Sequence, residues 1–320
     1  MIRVQHVVKT FGKVTAVNDV SFDVRAGEIF AFLGPNGAGK TTTIKMLTTL
    51  LHPTSGSLEL DGLDVTTHRT EVRTRFGVVF QDPSLDSDLT AWENMDIHGV
   101  LYHVPRHARR ARCEVLLRMF ELWERRDDLV KTFSGGMKRR LEIARGLLHT
   151  PKVLFLDEPT VGLDPIVRRT LLDFFKERVR EGLTIFFTTH ILEEAEYLCN
   201  RLAVINQGRI VDVDTPENLK RRFGSAKAVE FKLLQGTSRE LASSLSSFEG
   251  VTRLVEDGGA GVYRATTARP ESVIPEIYRQ AERLGLTVSS IYISETTLED
   301  AFINLVTENH KGEPNGGATR

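Results

Sequence analysis

Residues 34–41 read Gly34-Pro35-Asn36-Gly37-Ala38-Gly39-Lys40-Thr41, and this run constrains the chain more than any other. It fits the pattern G-x-x-x-x-G-K-[ST] and stands between a strand-like and a helix-like segment. Ahead of it, Ile29–Leu33 is a short continuous apolar run, as a buried strand requires. Behind it, Lys40 to about Leu50 reads as a helix that His52-Pro53-Thr54-Ser55-Gly56 breaks. Glycines in such a turn let successive N–H groups point inward, which makes an anion nest at the positive end of a helix. In that setting Lys40 brings a point charge to the β- and γ-phosphates of a nucleotide, and Thr41 offers a hydroxyl to Mg²⁺.

The rest of the chain agrees with an α/β sheet around that turn. Strands are expected at Ile2–Val8, Ala16–Val24, Ser57–Leu60 and Gly77–Phe80. From about 89 to 148 the chain reads as helical throughout, and Ala108–Leu122 is expected to pack through Val115, Leu116, Met119 and Leu122. A buried strand at Val153–Leu156, a helix after Pro165, a second buried strand at Thr184–Thr188 and a helix at Leu192–Leu198 follow. Continuous apolar strands alternating with helices argue for a parallel sheet covered on both faces.

A boundary is expected at 222/223, where charged Glu217–Arg222 leads into Gly224-Ser225. Beyond it come a strand at Ala228–Leu234 and a helix at Arg239–Phe248. Two strands, Val251–Val255 and Val262–Thr267, flank Gly258-Gly259; a helix at Ser272–Leu284 and a strand at Thr287–Ser294 complete the module. That β-α-β-β-α-β order is the ferredoxin-like arrangement, α+β, and it closes with a helix that Thr296 caps while Glu299 reaches back. The domains are therefore 1–222 and 223–308, with 309–320 expected as a disordered tail.

Composition narrows the partners. A length of 320 residues suits about two domains. The 42 Lys+Arg nearly balance 43 Asp+Glu, which argues against nucleic acid as the main partner. Cys113 and Cys199 stand apart, with no metal-ligand or disulfide spacing, as gap-filling residues of a reducing compartment would. No apolar run approaches the ~18 residues of a membrane span, so the chain is expected to be soluble and to reach a membrane only through a partner. The basic segment Arg106–Arg112 reads as a solvated helix face, with a lipid-headgroup contact as the alternative.

Two further stretches carry chemistry. Val153-Leu154-Phe155-Leu156-Asp157-Glu158 is a strand ending in two acids, which places carboxylates at the edge where open α/β sheets bind ligands. Asp157 suits Mg²⁺, and Glu158 is the natural group to polarise an attacking water. Phe133-Ser134-Gly135-Gly136-Met137-Lys138 reads as Ser134 capping a helix whose first amides are left open by two glycines. It would be a second anion site, or simply a helix cap.

The run 34–41, the segment 134–138, the strand 153–158, Gly162-Leu163-Asp164 and His190 resemble, in order and spacing, the nucleotide-binding subunits of ABC transporters over residues 1 to about 220. The resemblance implies a P-loop NTPase of ABC type, an α/β RecA-like core with an antiparallel β-subdomain and a helical subdomain at about 89–148. It also implies ATP and Mg²⁺ as cofactors, with Thr41, Gln81 and Asp157 toward the metal. Glu158, His190 and Gln81 match the catalytic glutamate, the switch histidine and the glutamine that senses the membrane partner. The implied nucleotide contacts are Phe11, Gly34, Pro35, Asn36, Gly37, Ala38, Gly39, Lys40, Thr41, Thr42, Ser134, Gly135, Gly136 and Asp164. Phe11 would stack on adenine, or else be a core aromatic; Asp164 would sit at a dimer seam, or else cap the helix at Pro165.

The segment 133–137 departs mildly from the family, with Phe133 and Met137 where Leu and Gln are commonest. Neither replaces a phosphate-facing group, and the presence of Glu158 implies a hydrolysing site. In the family two copies face head to tail, so each ATP would lie between one copy's 34–41 loop and the other's 134–137 segment. The C-terminal Glu295-Thr296-Thr297-Leu298-Glu299-Asp300-Ala301-Phe302 is similar to that of drug-exporter ATPases of the daunorubicin-resistance type. The expected protein is thus the cytoplasmic motor of an exporter, peripheral on the inner membrane face through a separate permease. Its expected cargo is drug-like or lipid-like; alternatives are export of polysaccharide or sodium by the same mechanism, or a soluble ABC ATPase acting on ribosomes or nucleic acid. The C-terminal module either packs against its twin or is a passive extension.

Overall fold

The computed structural model describes residues 1–82, 84–223, 227–257, 261–267, 269–294 and 297–311, without the side chains of 257 and 306–311. It divides into two compact units, Met1–Pro216 and Glu217–Arg320, a division somewhat ahead of the 222/223 boundary read from the sequence.

In the first unit the chain forms β1 (Ile2–Phe11), β2 (Val14–Val24), β3 (Ile29–Leu33), α1 (Lys40–Leu47), β4 (Ser55–Leu60), β5 (Leu63–Asp64), α2 (Arg69–Arg75) and β6 (Phe76–Val79). The helical stretch is α3 (Ala91–Leu101), α4 (Arg106–Met119) and α5 (Gly135–Leu147), with short 3₁₀ turns between α4 and α5. Then come β7 (Val153–Asp157), α6 (Pro165–Arg180), β8 (Thr184–Thr189), α7 (Leu192–Leu198), β9 (Arg201–Asn206) and β10 (Arg209–Asp214). One sheet has the order β2-β1-β4-β5, with antiparallel pairs throughout. The other runs β10-β9-β3-β8-β7-β6, parallel except for the hairpin partner β10. Every residue of β3, β7 and β8 is buried, which is why β3 and β7 up to Leu156 read as continuous apolar runs and β8 carries Ile185-Phe186-Phe187 between threonines.

Phe22 of β2 meets Phe30 and Phe32 of β3 and Phe186 of β8 at ring-centroid distances of 5.1–5.8 Å, joining the two sheets in one core. Each such ring contributes roughly 1.5–3 kcal/mol by leaving water. The amphipathic reading of α4 needs correction: Val115 and Met119 are exposed, and the packed face is Cys113, Leu116, Leu117 and Phe120. Residues 113, 116, 117 and 120 follow the i, i+3, i+4, i+7 stripe; of the expected set Leu116 and Leu122 are buried, while Val115 and Met119 lie beside the stripe. Burial pushes the Cys113 thiol up to about 11, so it stays protonated and apolar, as expected of a gap-filling cysteine.

α8 (Pro216–Phe223) starts at the boundary, and the second unit goes on with β11 (Ala228–Leu233), α9 (Arg239–Ser246), β12 (Arg253–Asp257), β13 (Val262–Thr266), α10 (Pro270–Arg283), β14 (Val288–Ser294) and α11 (Leu298–Lys311). Its antiparallel sheet has the order β12-β13-β11-β14, the ferredoxin-like order the sequence implies. Val229, Phe231 and Tyr263 of the sheet pack with Leu241, Leu245, Val273 and Ile277 of α9 and α10. The described cap of α11 is Thr297, whose hydroxyl accepts from Asp300 N at 3.2 Å while Asp300 Oδ2 accepts from Thr297 N at 3.1 Å. The expected cap Thr296, the turn at Gly258-Gly259, the linker Gly224-Ser225 and tail residues 312–320 lie outside the described residues. Residues 309–311 continue α11.

Candidate nucleotide site

The 34–41 turn lies at the C-terminal end of β3 and opens α1. Gly37 and Gly39 take φ of 79° and 104°, a region that glycine enters without strain. The turn is also tightly set: a Cβ on Gly34 would lie 2.2 Å from the Ile205 carbonyl of β9, and one on Gly39 would lie 2.5 Å from the Ala16 carbonyl. Lys40 is buried, and its Nζ donates to the carbonyls of Gly34 (2.8 Å) and Pro35 (3.1 Å).

Glu158 completes the cluster from the end of β7. Its Oε1 is 3.6 Å from Lys40 Nζ and 3.2 Å from His190 Nδ1. Burial pulls the Lys40 ammonium below the usual lysine range, while Glu158 and, more weakly, Asp157 oppose that shift. Glu158 has φ of 48°, a left-handed backbone in a residue other than glycine, which costs about 1–2 kcal/mol. Thr188 of β8 holds that turn: its carbonyl and its Oγ1 each accept from Glu158 N at 3.1 Å, and its hydroxyl donates to Asp157 Oδ1.

The other expected residues lie outside this cluster. Gln81 is exposed in the bend after β6 and, among the described residues, makes no hydrogen bond to Asp157 or Glu158. Ser134 and Gly135 are exposed at the start of α5, where Ser134 Oγ accepts from Met137 N at 3.3 Å; nothing lies within 4 Å of a Cβ placed on Gly135. Asp164 caps α6 by accepting from Ile166 N (3.1 Å) and Val167 N (3.0 Å). Phe11 is 47% exposed at the end of β1, with Lys9 Nζ 5.0 Å from its ring centroid, so it is not a core aromatic.

The sequence reading missed the residues that hold this edge together. Thr188 looked like the last apolar-strand position. Arg139 and Glu142 are buried on α5, although Arg139 stands in the charged run Lys138-Arg139-Arg140. The signal was helical spacing: Arg139 and Glu142 share a face with Ile143 and Gly146. On the other side Glu194 of α7 is buried, accepting from Thr160 and, at 3.1 Å, from Thr189.

A hydroxyl and a carboxylate, Thr41 and Asp157, are hard oxygen donors of the kind Mg²⁺ takes alongside phosphate oxygens and water. They fit such an ion without the all-protein cluster that is absent among the described residues.

Known proteins agree with this geometry. Residues 17–161 match the family described as ABC transporter. The linearmycin resistance ATP-binding protein LnrL of Bacillus subtilis is 33% identical over 95% of this chain and 98% of its own length. The daunorubicin/doxorubicin resistance ATP-binding protein DrrA of Streptomyces peucetius is 38% identical over 95% and 92%. Nod factor export ATP-binding protein I of Ralstonia nicotianae is 42% identical over 95% and 93%. The solved post-hydrolysis dimer of the ATP-binding cassette MJ0796, bound to ADP and Pi, superposes with a TM-score of 0.62 at 27% identity, covering 67% of this chain and 98% of that one. Sequence likeness over nearly the whole chain and a phosphate loop facing a strand-end glutamate lead to one conclusion: this chain belongs to the ABC transporter ATP-binding subunits, which hydrolyse ATP.

Proposed function

We propose that this exporter subunit works as one half of a head-to-tail homodimer that closes on two ATP molecules and drives drug-like or lipid-like compounds through a separate membrane permease. The observation that carries the reading is a division within the chain. Lys40, Glu158 and His190 meet at one sheet edge, whereas the open amides at Ser134–Gly136 begin α5, with Ser134 and Gly135 exposed, and take no part in that cluster. An unfilled helix start of this kind suits phosphate oxygens delivered by a second copy. The dimeric MJ0796 cassette supports the assembly, and the two relatives named for drug resistance support the cargo. The relative named for Nod factor export favours a second reading in which the cargo is not a drug. No helix among the described residues is long and apolar enough to cross a membrane, which supports a peripheral place on the inner membrane face through the permease.

In this reading the γ-phosphate of ATP competes with the Gly34 and Pro35 carbonyls and with Glu158 for the Lys40 ammonium. Glu158, released from that pair, polarises the attacking water, and His190 contacts the γ-phosphate. Residues 34–42 hold the phosphates, and Phe11 offers its exposed ring to adenine. Gln81 senses the permease, and Asp164 lies at the seam. Mg²⁺, held through Thr41, Asp157 and Gln81, would neutralise charge developing on the phosphates. Loss of the γ-phosphate removes the contact to the second copy's Ser134–Gly136, and the dimer opens.

Glu158→Gln tests the reading. ATP binding should persist, turnover should fall by about 10²-fold or more, and an ATP-dependent dimer should accumulate in sedimentation. Hydrolysis near the wild-type rate would remove Glu158 from its role, and a chain that stays monomeric with ATP would remove the head-to-tail dimer.

A further inference from the structure

Arg139 stands inside the basic run of α5, yet it is 8% exposed. Its guanidinium has five N–H donors, and each has an acceptor. Nε donates to the Pro159 carbonyl at 2.8 Å. Nη1 donates to the Phe80 carbonyl at 2.6 Å and to Glu142 Oε2 at 3.3 Å. Nη2 donates to the carbonyls of Asp157 at 3.0 Å and Glu158 at 3.1 Å. One side chain thus holds three consecutive carbonyls around the left-handed Glu158, together with the backbone just before Gln81. Glu142 extends the grip, since its Oε1 accepts from Ser84 N at 2.7 Å, shortly past Gln81. Arg145, one turn further on, donates to the Ser84 carbonyl at 2.8 Å.

Strained backbone persists where its surroundings over-determine it. Here Thr188 fixes the amide side of Glu158, and Arg139 fixes the carbonyl side. Arg139 also belongs to the helix that begins at Ser134–Gly136, about 7 Å earlier along the axis, where Ser134 and Gly135 are exposed. A helix is stiff over that length, so a displacement of its N-terminus reaches the Glu158 peptide directly.

We propose that Arg139 is a positioning residue that links the two ATP sites of the dimer: it ties the helix touching one nucleotide to the Glu158 turn and Gln81 bend that serve the other. The inference rests on the head-to-tail reading above. Arg139 touches neither nucleotide in this arrangement and acts through the backbone it holds. A lysine would keep the charge opposite Glu142 but has three donors for five acceptors, and no planar fork.

The test compares wild type, Arg139→Lys, and the neutral pair Arg139→Gln with Glu142→Gln, which removes both members of the buried ion pair together. Steady-state ATP hydrolysis gives kcat, KM and the Hill coefficient, and titration with a fluorescent ATP analogue gives binding. We expect both variants to bind the analogue within about threefold of wild type and to lose kcat by about thirtyfold or more, as misplacement of a reacting group does. Their Hill coefficient should fall to 1 from a wild-type value above 1. Wild-type kcat and Hill coefficient in either variant would overturn the link. So would a non-cooperative wild type, or failure of both variants to fold, which would leave a purely structural residue. Sedimentation of Glu158→Gln, with Arg139 intact, reads the dimer separately. If that dimer forms and the Arg139 variants behave as wild type, only the link fails.

Discussion

Gly34 shows how much of this site is decided by single atoms. The motif marks it as a turn glycine, and the turn explains Gly37 and Gly39 through their positive φ. Gly34 is needed for a different reason: the neighbouring strand brings the Ile205 carbonyl to 2.2 Å from where a Cβ would lie. Gly34→Ala must therefore shift β3 or β9, and backbone gives poorly. The expected outcome is a loss of about 1–3 kcal/mol in denaturant unfolding, with weakened ATP binding in titration; an unchanged unfolding midpoint would show that the loop relaxes. Glu158 was legible as a strand-end acid. Its left-handed φ and its dependence on Thr188 and Arg139 were not, because those partners come from elements distant in sequence.

Among the elements, the buried strands β3, β7 and β8 were the most legible, since burial on both faces leaves a short apolar core in each, with polar residues only toward the ends. Helix α4 was less so, because exposed Val115 and Met119 lie beside its packed stripe. The junction of α3 with the end of α5 was not legible at all. There Tyr102 stacks on His149 at a centroid distance of 3.9 Å and meets His98 tilted at 4.7 Å. Burial, then the charge of Arg145 and His149, pulls His98 down to about 3. Burial likewise pulls His149 down to about 4, against its hydrogen bond to the Phe76 carbonyl, with Arg112 adding to the fall. Both rings stay neutral in the folded chain while the unfolded chain protonates them near pH 6.5. Below that pH the unfolded state binds more protons, so stability falls as pH falls from about 6.5 toward 4. His98→Phe keeps the stack and removes one titration. Its unfolding free energy should fall less steeply over that window, and a pH slope equal to wild type would show that His98 does not contribute.

For the whole molecule, the question is what the second unit adds. Each unit carries its own buried core, Phe22 through Phe186 in the first and Phe231 with Tyr263 in the second. Removing 217–320 should leave ATP binding within about threefold, because residues 34–41, 157, 158 and 190 all lie in the first unit. We expect the Glu158→Gln dimer of that truncated chain to dissociate at least about tenfold more readily, a contribution of about 1.4 kcal/mol. Equal dimer affinity would make the second unit a passive extension. The sequence by itself determined the phosphate turn, the paired acids, the open helix start at Ser134 and the ferredoxin-like order of the C-terminal strands. Each of these is written in local spacing, with backbone chemistry that a few consecutive residues dictate. Only the tertiary structure decided that Lys40, Glu158 and His190 meet, that α4 packs through Cys113, Leu117 and Phe120 as well as Leu116 and leaves Val115 and Met119 out, and that Arg139 is buried with every donor used. These depend on which strands lie side by side, and a carbonyl offered by a neighbouring strand leaves no mark in the residues around it.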